Sequence, residues 1–107
     1  MFNPKYFLIV FVVVALGATA AFARGKDLEM DHREAITYCA KEGKHLPSID
    51  ELSYFFRRGK LNGYQYYWSS SVVSNNSNNA YYLDGGNGGV GDDPHDYSNA
   101  VRCASGL

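Results

Sequence analysis

The sequence predicts an α+β domain, two N-terminal helices followed by a small antiparallel sheet, and three observations carry that expectation. Two helix-start signatures stand close together, Asp31 with Glu34 and Ser48 with Glu51. After residue 60 the texture changes to aromatic and β-branched runs broken by Gly/Asn turns. Two cysteines, Cys39 and Cys103, sit one in each half of the chain. Helices and strands that segregate along a chain in this way build an α+β layer architecture.

The first 23 residues stand apart from this pattern. Lys5 gives a short positive start, Tyr6 opens an unbroken apolar run to Leu16, and Ala21-Phe22-Ala23 fits the A-x-A cleavage rule. A spanning helix needs about 20 apolar residues, and here the run fades into Gly17, Ala18 and Thr19. Residues 1–23 therefore read as a signal peptide, with an uncleaved N-terminal anchor as the alternative. No Cys follows the run, so a lipoprotein anchor is not expected. The expected mature chain is a loose polar leader at 24–30 and a single domain at 31–107, in contact with membrane only through the signal peptide before cleavage.

The first helix opens at Asp31, an N-cap with Glu34 three residues on, which makes a capping box. Met30 and Ala35 stand where a hydrophobic staple places its pair. The spacing predicts a helix over 32–42, with Gly43 as its C′ residue and an apolar stripe of Ala35, Ile36, Cys39 and Ala40. Ser48 and Glu51 repeat the signature. Leu52, Phe55 and Phe56 form an i, i+3, i+4 core face, and Arg57 and Arg58 suit the negative end of the dipole before Gly59. Residues 64–73 read as a strand centred on Tyr66-Tyr67-Trp68, 74–79 as a polar loop, and 80–84 as a second strand. Gly85-Gly86-Asn87-Gly88-Gly89 is a turn, since Gly and Asn tolerate positive φ. Val90 begins a short strand, 92–96 is an acidic loop, and Ala100, Val101 and Cys103 lie in a last strand.

A domain this small buries only about 60–65% of its unfolded surface and is marginal without a staple. In an oxidising compartment two cysteines read as a disulfide. The bridge would contribute roughly 4 kcal/mol. Two free buried thiols are the alternative. Neither Cys has the CxxC or paired-His context of a metal ligand.

Beyond residue 23 the formal charge is −2, from 9 basic and 11 acidic residues. That balance argues against nucleic acid, which needs clustered Lys and Arg, and offers no polybasic patch for anionic lipid. The candidate sites are few. Asp92, Asp93, Asp96 and His95 share one loop, and without the D-x-D-x-D-G pattern they read as a solvated acidic turn, with a calcium site on the flexible loop as the alternative. His32, His45 and His95 are scattered, and Ser69-Ser70-Ser71 lacks a nucleophile elbow. No catalytic residue, metal or cofactor is assigned. Asn75-Asn76-Ser77 matches N-x-S and reads as plain loop. The aromatics are the stronger signal: eight Tyr, two Phe and one Trp lie beyond residue 23. Neighbouring strand residues point to opposite faces, so one ring of each pair in Tyr66-Tyr67 and Tyr81-Tyr82 is expected to face outward. With Trp68 these four are the candidate ligand-binding residues, since exposed Tyr beside Asn and Ser gives contact area with a polar tip. A thin core packed with Tyr is the competing reading.

Several motifs together resemble a bacterial family. They are A-x-x-Y-C at Ala35, Tyr38 and Cys39; L-P-S-I-D-E-L from Leu46; Y-W-S-S-S from Tyr67; A-Y-Y-L from Ala80; and V-R-C closing at Cys103. In that order they resemble the Lcl C-terminal-type domain, a branch of the C-type-lectin-like fold distantly shared with formylglycine-generating enzymes. The resemblance implies a reduced C-type-lectin-like domain, a disulfide between first helix and last strand, and export for surface attachment or host contact. The E-P-N, Q-P-D and W-N-D tripeptides of calcium-dependent sugar binding are absent, as are the extra cysteines of the oxidase chemistry. The expectation is thus a periplasmic or cell-surface binding module for an envelope protein or glycan, with regulation of a surface structure such as an adhesin or pilus among its expected roles. A small accessory subunit of an envelope enzyme and a structural envelope protein are the alternatives.

Overall fold

The computed structural model describes residues 25–105. The expected signal peptide lies outside the described residues. In chain order the elements are β1 (Glu29–Met30), α1 (His32–Lys41), β2 (Lys44–His45), α2 (Ile49–Arg57), β3 (Tyr66–Val73), β4 (Asn76–Asp84), β5 (Val90–Pro94), β6 (Asn99–Ala100) and β7 (Ala104–Ser105). Among the described residues no helix is long and apolar enough to cross a membrane.

Both helices form for the local reasons the sequence gives. The Asp31 carboxylate accepts from the Glu34 N–H at 2.8 Å, and the Glu34 carboxylate accepts from the Asp31 N–H at 3.0 Å. Ser48 and Glu51 make the same reciprocal pair at 3.1 and 2.9 Å. Gly43 and Gly59 terminate the helices at φ of 72° and 69°, the left-handed region that favours glycine.

The α+β class stands, but the expected arrangement of two N-terminal helices before a small antiparallel, reduced C-type-lectin-like sheet does not. Strand β1 precedes the first helix and β2 lies between the two helices. The main sheet has five strands in the order β1-β6-β3-β4-β5 and is mixed, because β6 runs parallel to β3 while every other pair is antiparallel. A second, two-stranded sheet joins β2 to β7. The physical reason is that β1, β2, β6 and β7 have two residues each, too few to carry a period. Their pairing is fixed by partners distant in sequence.

Two further boundaries move. The polar run expected as a loop is mostly strand, with Asn76–Asp84 continuous as β4 and the turn confined to Ser74 and Asn75. Asp92 and Asp93 lie within β5 and not in a loop. Nor is the segment before α1 loose. Asp27 exchanges two hydrogen bonds with the Gln65 side chain at 2.9 Å, and the Val101 N–H donates to Leu28 O.

The sheet is covered on both faces. Tyr67 pairs with Leu83 and Trp68 with Tyr82 in register, so the two pairs project to opposite sides. Tyr67 and Leu83 pack with Leu52, Leu61 and Ala100, against α2. Trp68 packs with Ala35, Cys39, Leu46, Ala80 and Val101, against α1. Two adjacent large aromatics are therefore both fully buried. The Cys39–Cys103 disulfide, with Cα atoms 5.4 Å apart, ties α1 to the segment joining β6 and β7.

Candidate functional site

Five aromatics carried the sequence expectation, and the fold divides them. Tyr67 and Trp68 have no exposed surface. The Tyr67 hydroxyl donates to Asp27 at 2.6 Å and accepts from the Asn62 N–H at 2.8 Å. Burial, then the Asp27 carboxylate, pushes this phenol up to about 12. Trp68 Nε1 donates to Met30 O at 2.8 Å, and the His32 ring meets the indole edge-on at 5.0 Å. Both are core residues that also fasten the N-terminal segment. Tyr81 is half-buried on β4.

Tyr66 and Tyr82 remain. Their rings stack in parallel, 4.3 Å between centroids and 6° between planes. Tyr66 is 44% exposed and Tyr82 half-buried. A Cβ added at Gly91 would lie 2.5 Å from the Tyr82 hydroxyl. The bare glycine on β5 is thus what lets that ring lie across the neighbouring strand. Burial, then Tyr66 and Asp93, holds the Tyr82 phenol above the ordinary tyrosine range. Two strands position this ring platform, on the sheet face that α1 covers only in part.

The acidic residues do not converge. Asp92 accepts from the Asn79 amide at 2.7 Å and Asp93 from the Asn99 amide at 3.0 Å. As neighbours on a strand they face opposite ways. The His95 backbone bridges His32 and Asn78. Among the described residues no three His, Cys, Asp or Glu side chains are grouped as metal ligands. His32 is buried with Nε2 2.7 Å from Ser69 O, and Ser69 Oγ donates to Tyr81 O, so both serve packing.

Sequence reasoning missed a cleft of about 810 Å³. Residues 101–105 run along it, and α2 contributes Tyr54 and Phe55, with Arg58 at its C-cap. Tyr38 reaches it from α1, Glu42 from the C-cap of that helix and Lys44 from β2. His45 Nε2 lies 3.0 Å from both Glu51 oxygens and ties β2 to the start of α2. The Ser48 N–H, more than His45, holds the Glu51 carboxyl below its ordinary range. At the other end Arg102 stands 3.9 Å from Asp27. The one signal in the sequence was the charge order along 50–60, acidic first and basic last, which reads equally as dipole complementation.

The structure thus holds a ring platform and an open cleft of mixed polarity on a disulfide-closed frame, and comparison with known proteins adds a family. No curated protein matches the chain. The family model described as a domain of unknown function (DUF8780) matches residues 25–104, nearly all that the structure describes, and the chain belongs to that family.

Proposed function

We propose that the chain is an exported binding module of the periplasm or cell surface that takes a glycan or protein ligand against the Tyr66/Tyr82 platform. The observation that carries this reading is the parallel stack itself, with Tyr66 nearly half exposed on a strand. Rings held in place before the ligand arrives lose little freedom on binding, and their faces offer apolar area with a hydroxyl at the edge. Export is supported by the leader-like residues 1–23 and by the Cys39–Cys103 disulfide, a bond that persists in oxidising compartments.

A glycan array and a pull-down from envelope extracts, each run with the native protein, Tyr66→Ala and Tyr97→Ala, test the reading. Tyr97 is 56% exposed outside the platform and serves as the control. Loss of one aromatic face weakens capture roughly five- to tenfold in Tyr66→Ala, with Tyr97→Ala unchanged. Equal capture by Tyr66→Ala and native protein overturns the platform. Native protein recovered from the cytosolic fraction with residues 1–23 attached overturns export.

A further inference from the structure

We infer that the cleft beside α2 is a second binding site, for an extended peptide segment of a partner protein that carries one acidic and one basic side chain about four residues apart. The cleft is polarised along α2, net acidic at one end and net basic at the other, with Lys44 standing among the acidic group and Asp27 among the basic one. At the start of that helix stand Asp50 and Glu51, and the Glu51–His45 contact brings β2 and, two residues before it, Glu42 to the same end. At the far end stand Arg58 and Lys60. Arg102 joins them, because its partner Asp27 bonds the Tyr67 hydroxyl that also receives the Asn62 N–H, two residues beyond Lys60. Among the described residues, Glu42, Asp50, Arg58 and Lys60 form no ion pair with one another or with any other side chain. Between the two ends lies an aromatic stretch. Tyr54 is 50% exposed, with the Arg58 guanidinium 5.3 Å over its ring and Phe55 tilted against it.

Unmatched charges of opposite sign at the two ends of one concave site specify a ligand of opposite polarity. Asp50 and the C-cap Arg58 are eight residue steps apart along α2, a rise of about 12 Å. An extended chain covers that span in about four residues. The floor suits such a chain. Ala104 and Ser105 line the cleft, and among the described residues β7 pairs with β2 alone, an edge to which an extended chain adds as a further strand. The inference does not depend on the Tyr66/Tyr82 platform.

The test uses the purified, oxidised protein and fluorescein-labelled, end-capped heptapeptides read by fluorescence anisotropy. Two probes carry Asp and Lys separated by three alanines, one in each order, and a control carries the same residues adjacent. The expected result is that one spaced order binds roughly five- to tenfold more tightly than the control, the scale of two exposed charge pairs. The advantage disappears in Arg58→Glu/Lys60→Glu, whose near-ultraviolet dichroism matches native protein, and persists in Tyr66→Ala. The inference is overturned if neither spaced probe outbinds the control, or if the charge-reversed double variant binds as the native protein does. Should that variant misfold, Asp50→Lys at the opposite end supplies the same reading.

Discussion

At the scale of single residues, the chemistry the sequence placed on the surface is partly in the core, and Tyr67 makes the point. Its ring sits among Leu52, Leu61, Leu83 and Ala100, while its hydroxyl links Asp27 to the Asn62 N–H. Tyr67→Phe keeps the ring but strands the buried Asn62 N–H and takes a donor from the half-buried Asp27 carboxylate, so it costs about 1–3 kcal/mol in urea unfolding at neutral pH. The same hydroxyl sets an alkaline limit. An unfolded tyrosine titrates near 10, and the folded value of about 12 lies above it. Its contribution is therefore whole below pH 10 and is lost as pH rises toward 12. Native protein loses stability more steeply across that window than Tyr67→Phe, and parallel slopes would contradict this account. Gly85 is equally specific. An added Cβ there would lie 2.2 Å from Asn62 O and 2.9 Å from Gln65 O, whereas at Gly63 the nearest atom is 3.9 Å away. Gly85→Ala destabilises by about 2 kcal/mol or more through overpacking, and Gly63→Ala by far less. Neither glycine sits at positive φ, so only the fold distinguishes the one that needs empty space from the one with room for a side chain.

At the scale of elements, legibility follows the range of the forces involved. Both helices were readable because capping boxes, C′ glycines and apolar stripes act within four residues, and their N-caps fall at Asp31 and Ser48. The stripe is narrower than its spacing suggests. Ala35 and Cys39 are buried, but Ile36 is 46% exposed and the buried place at the start of α1 belongs to His32. The hairpin of β3 and β4 was readable from its aromatics, though its polar far half was not, since Asn and Ser in 76–79 carry no apolar alternation. The two-residue strands were not readable at all. Because the capping boxes are local and share no partners, their contributions add. Ser48→Ala and Asp31→Ala each lower stability by about 1 kcal/mol, or roughly 4–8 °C in melting temperature at this size. The double variant shows the sum. A marked excess over the sum would mean that the two helices stabilise each other through the sheet.

At the scale of the whole molecule, the sheet divides the apolar residues into two small cores, and neither is large. Trp68 anchors one and Tyr67 the other, back to back on a single strand. A sheet covered on one face would have left one of these neighbours outside, the same alternation by which the sequence predicts that one ring each of Tyr66-Tyr67 and Tyr81-Tyr82 faces outward. The cleft was illegible for a related reason. Its walls come from positions 27, 38–44, 50–60 and 101–105, which only the tertiary fold brings together. With so little apolar area in each core, the covalent tie carries a large share of stability. It spans 64 positions and joins α1 over one face to the segment that floors the cleft. The chain-entropy relation gives about 4 kcal/mol for such a loop, against a total on the order of 5–8 kcal/mol for a domain of this size. Reduction, or Cys39→Ala with Cys103→Ala, lowers the melting temperature by roughly 20 °C. Cys39 is fully buried while Cys103 is half-buried and lines the cleft, so a thiol reductant acts from the cleft side. A peptide bound there slows reduction, and loss of the bond frees residues 101–105 from α1 and weakens peptide binding before the domain unfolds. A melting temperature that moves by only a few degrees on complete reduction would place the stability in the two cores instead of the tie.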